Sequence, residues 1–89
     1  MDLNEARKAI DAIDQDIVRL FEQRLAVSEQ IAIYKKAHHL AIEQPAREAV
    51  VIQKAIDRLD NKAYREDIKA LFEAMMTIGK KRQKEIIDS

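Results

Sequence analysis

The chain has no cysteine, so it can form neither a disulfide brace nor a thiolate site for metal or nucleophilic chemistry. It has one glycine, Gly79, and one proline, Pro45, which leaves few places for a sharp turn. Strand formers are sparse, with aromatics at 4%, so little is available to build a sheet. Neither charge is in excess: 16 Lys and Arg face 16 Asp and Glu, without the basic surplus expected of a nucleic-acid binder. The N-terminus lacks the apolar run of a signal peptide, and no stretch is long and apolar enough to span a membrane. With no cysteine present, a reducing cytoplasm is the expected location. These absences leave helix. The 89 residues, 47% apolar and 36% charged, suit one folded domain, 1–89. A domain this short buries a thin core, and oligomerisation is its remaining source of buried area.

The apolar rhythm is clearest in residues 9–36, AIDAIDQDIVRLFEQRLAVSEQIAIYKK. Ile10, Ile13, Ile17, Leu20, Val27, Ile31 and Tyr34 follow a spacing of three and four, which predicts one helix from about Asp2–Asn4 to Tyr34. Asp2 and Glu5 form a candidate capping box at its start. Such a helix is roughly 50 Å long, too long for a compact monomer, and its stripe calls for a partner helix along its whole length. Pro45 suits a first helical turn, so a second helix starts at 44–46, with Ala49, Val50 or Ile52, Ile56 and Leu59 as its apolar positions. Asp60 or Asn61 caps a third helix, from about Lys62 to Ile87. Its face reads Tyr64, Ile68, Leu71 with Phe72, Met75, Ile78 with Gly79, Arg82 and Ile86. The expected architecture is all-α: three helices, long, short, long.

Polar residues interrupt these faces. Arg24 occupies the missing beat of the first stripe. It is half of a structural ion pair, a register-setting polar residue in a coiled coil, or a cation lining a pocket for an anion, whose carboxylate its guanidinium fork matches. Lys35 lies eleven residues on, close to three turns, and so faces nearly the same side. Arg7, beside the stripe, is about 42 Å from Lys35 along the helix, so one chain cannot bring both to one small ligand. Two antiparallel copies of the first helix bring Arg7 of one towards the later half of the other, giving two equivalent pockets. Gly79 and Gln83 sit where apolar residues are expected; close helix packing and a solvated side chain are their simpler readings. Arg47 and Glu48 follow Pro45, either as first-turn surface charge or as pocket groups. His38 and His39 are adjacent and lack further ligands at zinc-like spacing; they read as solvated loop residues.

Taken together, ARKAIDAID (6–14), EQRLAVSEQIAIYKK (22–36), QPARE (44–48) and FEAMMTIGKKRQ (72–83) resemble the all-α chorismate mutases, the small helical bacterial type, over nearly the whole chain. The resemblance implies an intertwined helical-bundle homodimer that needs no cofactor or metal and converts chorismate to prephenate for Phe and Tyr biosynthesis. It also implies roles. Arg7 would reach the partner's site, Arg24 would bind a substrate carboxylate, and Arg47 would add positive charge. Lys35 would bond the ether oxygen and a carboxylate, Gln83 would donate to that oxygen from the opposite side, and Glu48 would accept from the ring hydroxyl. Two positions depart from the pattern: Gln44 stands where an Asp often holds the hydroxyl end, and Gly79 where a Ser often touches a carboxylate. The implied rivals are an isochorismate-pyruvate lyase of the same fold, which would lack the carboxylate at Glu48, and a non-catalytic helical dimerisation module, which would place an apolar residue at Arg24. A chain of this length has no room for a fused second enzyme, so a stand-alone mutase is expected.

Overall fold

In the computed structural model, which describes residues 1–89, α1 spans Leu3–Ala37, α2 spans Pro45–Asp57 and α3 spans Arg65–Ile87. The chain is a flat rod of 53 × 25 × 14 Å, its long axis set by the 35 residues of α1. Asp2 caps α1 as expected, extended and with its carboxylate accepting from the Glu5 backbone N–H at 2.8 Å, but the Glu5 side chain does not return the bond that would complete a capping box. The helix ends at the two histidines. The His38 ring stacks on Tyr34 with centroids 3.9 Å apart, and His39 takes the left-handed conformation (φ 55°) that turns the chain away. Both remain exposed, so they act as a helix terminator.

Pro45 opens α2 at its first position, within the expected boundary. The third helix differs slightly from expectation. Asn61 caps a single 3-10 turn, Lys62–Tyr64, by accepting from the Ala63 N–H at 2.9 Å, and α-helix begins at Arg65. Lys62 explains the tight junction: its ammonium donates to the carbonyls of Ile56 and Asp57 (2.9 and 3.1 Å) at the end of α2, where the Ile56 oxygen also accepts from the Leu59 backbone N–H at 3.1 Å.

α3 is the central element, packing on α1 on one side and on α2 on the other. It covers only the later half of α1, and by a seam other than the conspicuous one. Phe21, Leu25, Ser28 and Ala32 turn towards the rest of the chain, with Ser28 and Ala32 buried. The stripe of Ile10, Ile13, Ile17, Leu20, Val27, Ile31 and Tyr34 stays 45–57% exposed. α1 is therefore apolar on two sides, and the chain covers one of them. On α2 the inward residues are Val51, Ile52, Ala55 and Ile56, while Ala49 and Val50 point out. On α3 Ile68, Phe72, Met75, Met76, Gly79, Gln83 and Ile86 turn inward, whereas Tyr64, Leu71 and Ile78 are exposed. Arg82, read from sequence as part of this face, points outward and donates to Glu29 at 2.8 Å. Only six residues are buried, three of them apolar side chains, so most of the chain's apolar surface lies open. No helix is long and apolar enough to cross a membrane.

Candidate active site

Arg24, Ser28 and Lys35 recur at helical spacing on one face of α1, opposite Gly79, Lys80 and Gln83 of α3. The first turn of α2 closes the third side with Gln44, Arg47 and Glu48. The open cleft between them has a volume of about 640 Å3, ample for a small organic ligand. Of the residues expected in a site, Arg24, Lys35, Gln44, Arg47, Glu48, Gly79 and Gln83 all line it. Arg7 does not: it is exposed on the uncovered arm of α1, about 25 Å along the helix from Arg24.

The Lys35 ammonium donates to the carbonyl of Ile42 at 3.1 Å and to Gln83 Oε1 at 3.0 Å. Burial pushes its pKa below the usual lysine value of 10.5, and the negative charges of Glu48 and Glu43 partly oppose that shift. Two of its three N–H donors are used on neutral oxygens, which leaves one for a ligand. Gln83 is buried and turns its Nε2 to Ser28 Oγ at 2.9 Å. Lys35 and Gln83 thus touch one another instead of standing across an empty gap. Gly79 brings α1 and α3 close: a Cβ built on it would lie 3.2 Å from Ser28 Oγ.

Glu48 is held by Lys80 Nζ at 2.7 Å, and the same ammonium reaches Glu43 in the α1–α2 connection at 3.0 Å. Hydrogen bonding to Glu48, then to Glu43, raises the Lys80 pKa above its usual value. Gln44 turns its carboxamide back onto the Ala41 carbonyl (3.0 Å) and leaves the start of α2 without a side-chain cap. Arg24 and Arg47 take part in none of the chain's four ion pairs. The ion-pair reading of Arg24 therefore finds no carboxylate within the chain, and the half-buried Arg24 lines the cleft without a charged partner.

Four cationic side chains and one carboxylate line the cleft of a chain whose net charge is zero. Such a concentration of cations selects anions, and two unpaired guanidinium groups suit carboxylates. The one hydroxyl lining the cleft, that of Ser28, has an amide for a partner rather than a base, so it is not set up as a nucleophile. Sequence reasoning missed Ser28, Lys80 and Glu43. The first two were readable as neighbours, Ser28 one turn after Arg24 and Lys80 one turn before Gln83. Glu43 lies in a connection whose path no periodicity gives.

A family model described as chorismate mutase type II matches residues 6–84. Among curated proteins, the chain is 36% identical over 63 residues to the bifunctional chorismate mutase/prephenate dehydratase of Aquifex aeolicus (strain VF5), covering 71% of this chain and 17% of that protein. It is 35% identical over 51 residues to the T-protein of Haemophilus influenzae (strain ATCC 51907 / DSM 11121 / KW20 / Rd), covering 57% of this chain and 14% of that protein. The matched region is thus a small fraction of the length of either relative. No solved structure matches the chain.

Proposed function

The chain belongs to the chorismate mutase type II family, and from that premise we propose that it catalyses the rearrangement of chorismate to prephenate, a step in aromatic amino-acid biosynthesis. The observation that carries this reading is the cluster of cations around a cleft on a neutral chain, with Arg24 unpaired among them. Chorismate is a dianion with a ring hydroxyl and an ether oxygen. Its rearrangement breaks the ether C–O bond as a C–C bond forms, in one cyclic shift of electrons that requires no nucleophile and no proton transfer.

Two contributions are open to the protein. Arg24 and Arg47 hold the carboxylates and so keep the flexible side chain over the ring. The spare N–H of Lys35 and the second N–H of the Gln83 amide serve the ether oxygen as negative charge grows on it. Glu48, kept in place by Lys80, accepts from the ring hydroxyl. Gln44 lines the hydroxyl end, and Gly79 leaves its contact to water or to a neighbour.

Two copies pair through the open stripe of α1, and each lends its Arg7 to the other's cleft. The exposure of Ile10, Ile13 and Ile17 on the same arm as Arg7 supports this pairing. The test is turnover by purified protein of chorismate and, in parallel, of isochorismate. Prephenate from chorismate, lost in Arg24→Leu and Lys35→Ala, is expected. Pyruvate from isochorismate with little prephenate would move the assignment to a lyase, and turnover of neither would move it to a binding module.

A further inference from the structure

Gln83 sits between two groups that differ in what they accept. On one side is the Lys35 ammonium, 3.0 Å from Oε1. On the other is Ser28 Oγ, 2.9 Å from Nε2. An ammonium has donors only, so it must face the carboxamide oxygen, and that forces the NH2 group towards α1. A hydroxyl can accept there. An alanine at 28 would leave an N–H donor buried and unpartnered, since Ser28 and Gln83 are only 8% and 7% exposed. Gly79 is part of the same arrangement. A Cβ at 79 would come within 3.2 Å of Ser28 Oγ, tighter than an ordinary contact, so the hydroxyl occupies space that a side chain at 79 would need. This accounts for the glycine inside α3, where helix propensity disfavours it.

We infer that Ser28 is a positioning residue for the reaction. It fixes the Gln83 carboxamide so that one Nε2–H is anchored and the other is held towards the ligand, and Gly79 is there to admit it. The kinetic part of this inference rests on the chorismate mutase reading; the hydrogen bond itself does not. A donor aimed at an oxygen whose charge grows during reaction acts on the transition state more than on the bound substrate. Loss of its anchor is therefore expected in kcat. One ordinary hydrogen bond corresponds to about tenfold or somewhat less.

Two measurements on the full chain separate the parts. In the ligand-free protein, the 15N side-chain carboxamide resonance of Gln83 is compared between wild type and Ser28→Ala. It should shift, and its protons should exchange faster with water; an unchanged resonance overturns the inference whatever the protein catalyses. In turnover, Ser28→Ala should lower kcat for chorismate about tenfold with KM within about twofold. Gly79→Ala, which displaces the hydroxyl, should cost a similar factor alone and little more when added to Ser28→Ala. Unchanged kcat in Ser28→Ala, a loss confined to KM, or fully additive costs in the double variant would each overturn the inference. A wild-type chain that turns over no chorismate would overturn the function proposed above, and the resonance would still decide whether Ser28 holds Gln83.

Discussion

Replacing Arg24 with leucine should move stability and activity in opposite directions. Arg24 lines the cleft half-buried and without an ion-pair partner, so no opposite charge within the chain offsets whatever burial its side chain has. Leucine there joins Leu20 and Val27 on the same side of α1. Full burial of a leucine contributes about 1.5–3 kcal/mol, and at a half-exposed position next to an existing aliphatic stem the gain falls to about 1 kcal/mol or less. For a domain of this size that raises Tm by a few degrees, roughly 4–8 °C per kcal/mol. Activity should fall steeply. A bidentate guanidinium–carboxylate contact comprises two hydrogen bonds between charged groups, each worth about 1.5–3 kcal/mol. Losing about 3–5 kcal/mol lowers kcat/KM by roughly 10² to 10⁴. The assay pairs thermal melting at one fixed protein concentration, since association makes Tm concentration-dependent, with steady-state conversion of chorismate. A destabilisation above about 1 kcal/mol would mean that Arg24 has a structural partner. A loss of activity below about fivefold, under 1 kcal/mol, would mean that no carboxylate is read there.

Three further outcomes are expected. Lys35 donates only while protonated, and its lowered pKa in the ligand-free protein places the alkaline fall in kcat/KM, which reports the free enzyme, below the range of a free lysine. Glu48→Gln removes a charge that raises that pKa, so the fall should move to still lower pH, and a shift upward or no shift in the pH–rate profile would contradict this. Lys80→Met frees Glu48 to swing towards the spare N–H of Lys35, so kcat should drop severalfold with little change in Tm; unchanged kcat would show that Lys80 holds nothing needed. If Arg7 crosses to the other copy's cleft, Arg7→Ala and Arg24→Leu chains, each nearly inactive, should regain about a quarter of wild-type activity on equimolar mixing and re-equilibration, because half the dimers are mixed and each mixed dimer holds one intact site. No recovery would exclude a shared site.

The helices were legible because their signals are local. Asp2, Pro45 and Asn61 mark boundaries through their own backbone preferences, and the structure uses all three. The facing of α1 was less so. Its brighter stripe, Ile10 to Tyr34, is the one the chain leaves open, while the seam that meets α3 is made of Phe21, Leu25, Ser28 and Ala32. Periodicity reports that a face is apolar and is silent on whether its partner comes from the same chain. Most of the cleft was legible for the opposite reason: Arg24, Gly79 and Gln83 break local rules, and such breaks gather where function is placed. Lys80 and Glu43 break none. A lysine on a helix and a glutamate in a loop are ordinary until the fold sets them 3.0 Å apart beside Glu48.

The bonding state of each cation also sorts the work of the cleft. Lys80 is neutralised by two carboxylates and has little charge left to offer a ligand; its effect passes through Glu48. Arg24 and Arg47 are unpaired, and the charges they would meet, the substrate carboxylates, are the same before and during reaction. Contacts of that kind lower the energies of bound substrate and transition state together and show in KM. Lys35 and Gln83 are bound only to neutral groups and to each other, which leaves one N–H of each unused; in the proposed reaction those would face the atom whose charge changes. Interactions that strengthen only as charge develops show in kcat. Truncating an arginine of the cleft should therefore be partly offset by saturating substrate, whereas Lys35→Ala should not be rescued at any concentration. If saturation restored Lys35→Ala, the lysine would be a binding group and the rate advantage would have to come from holding the reactive conformer alone.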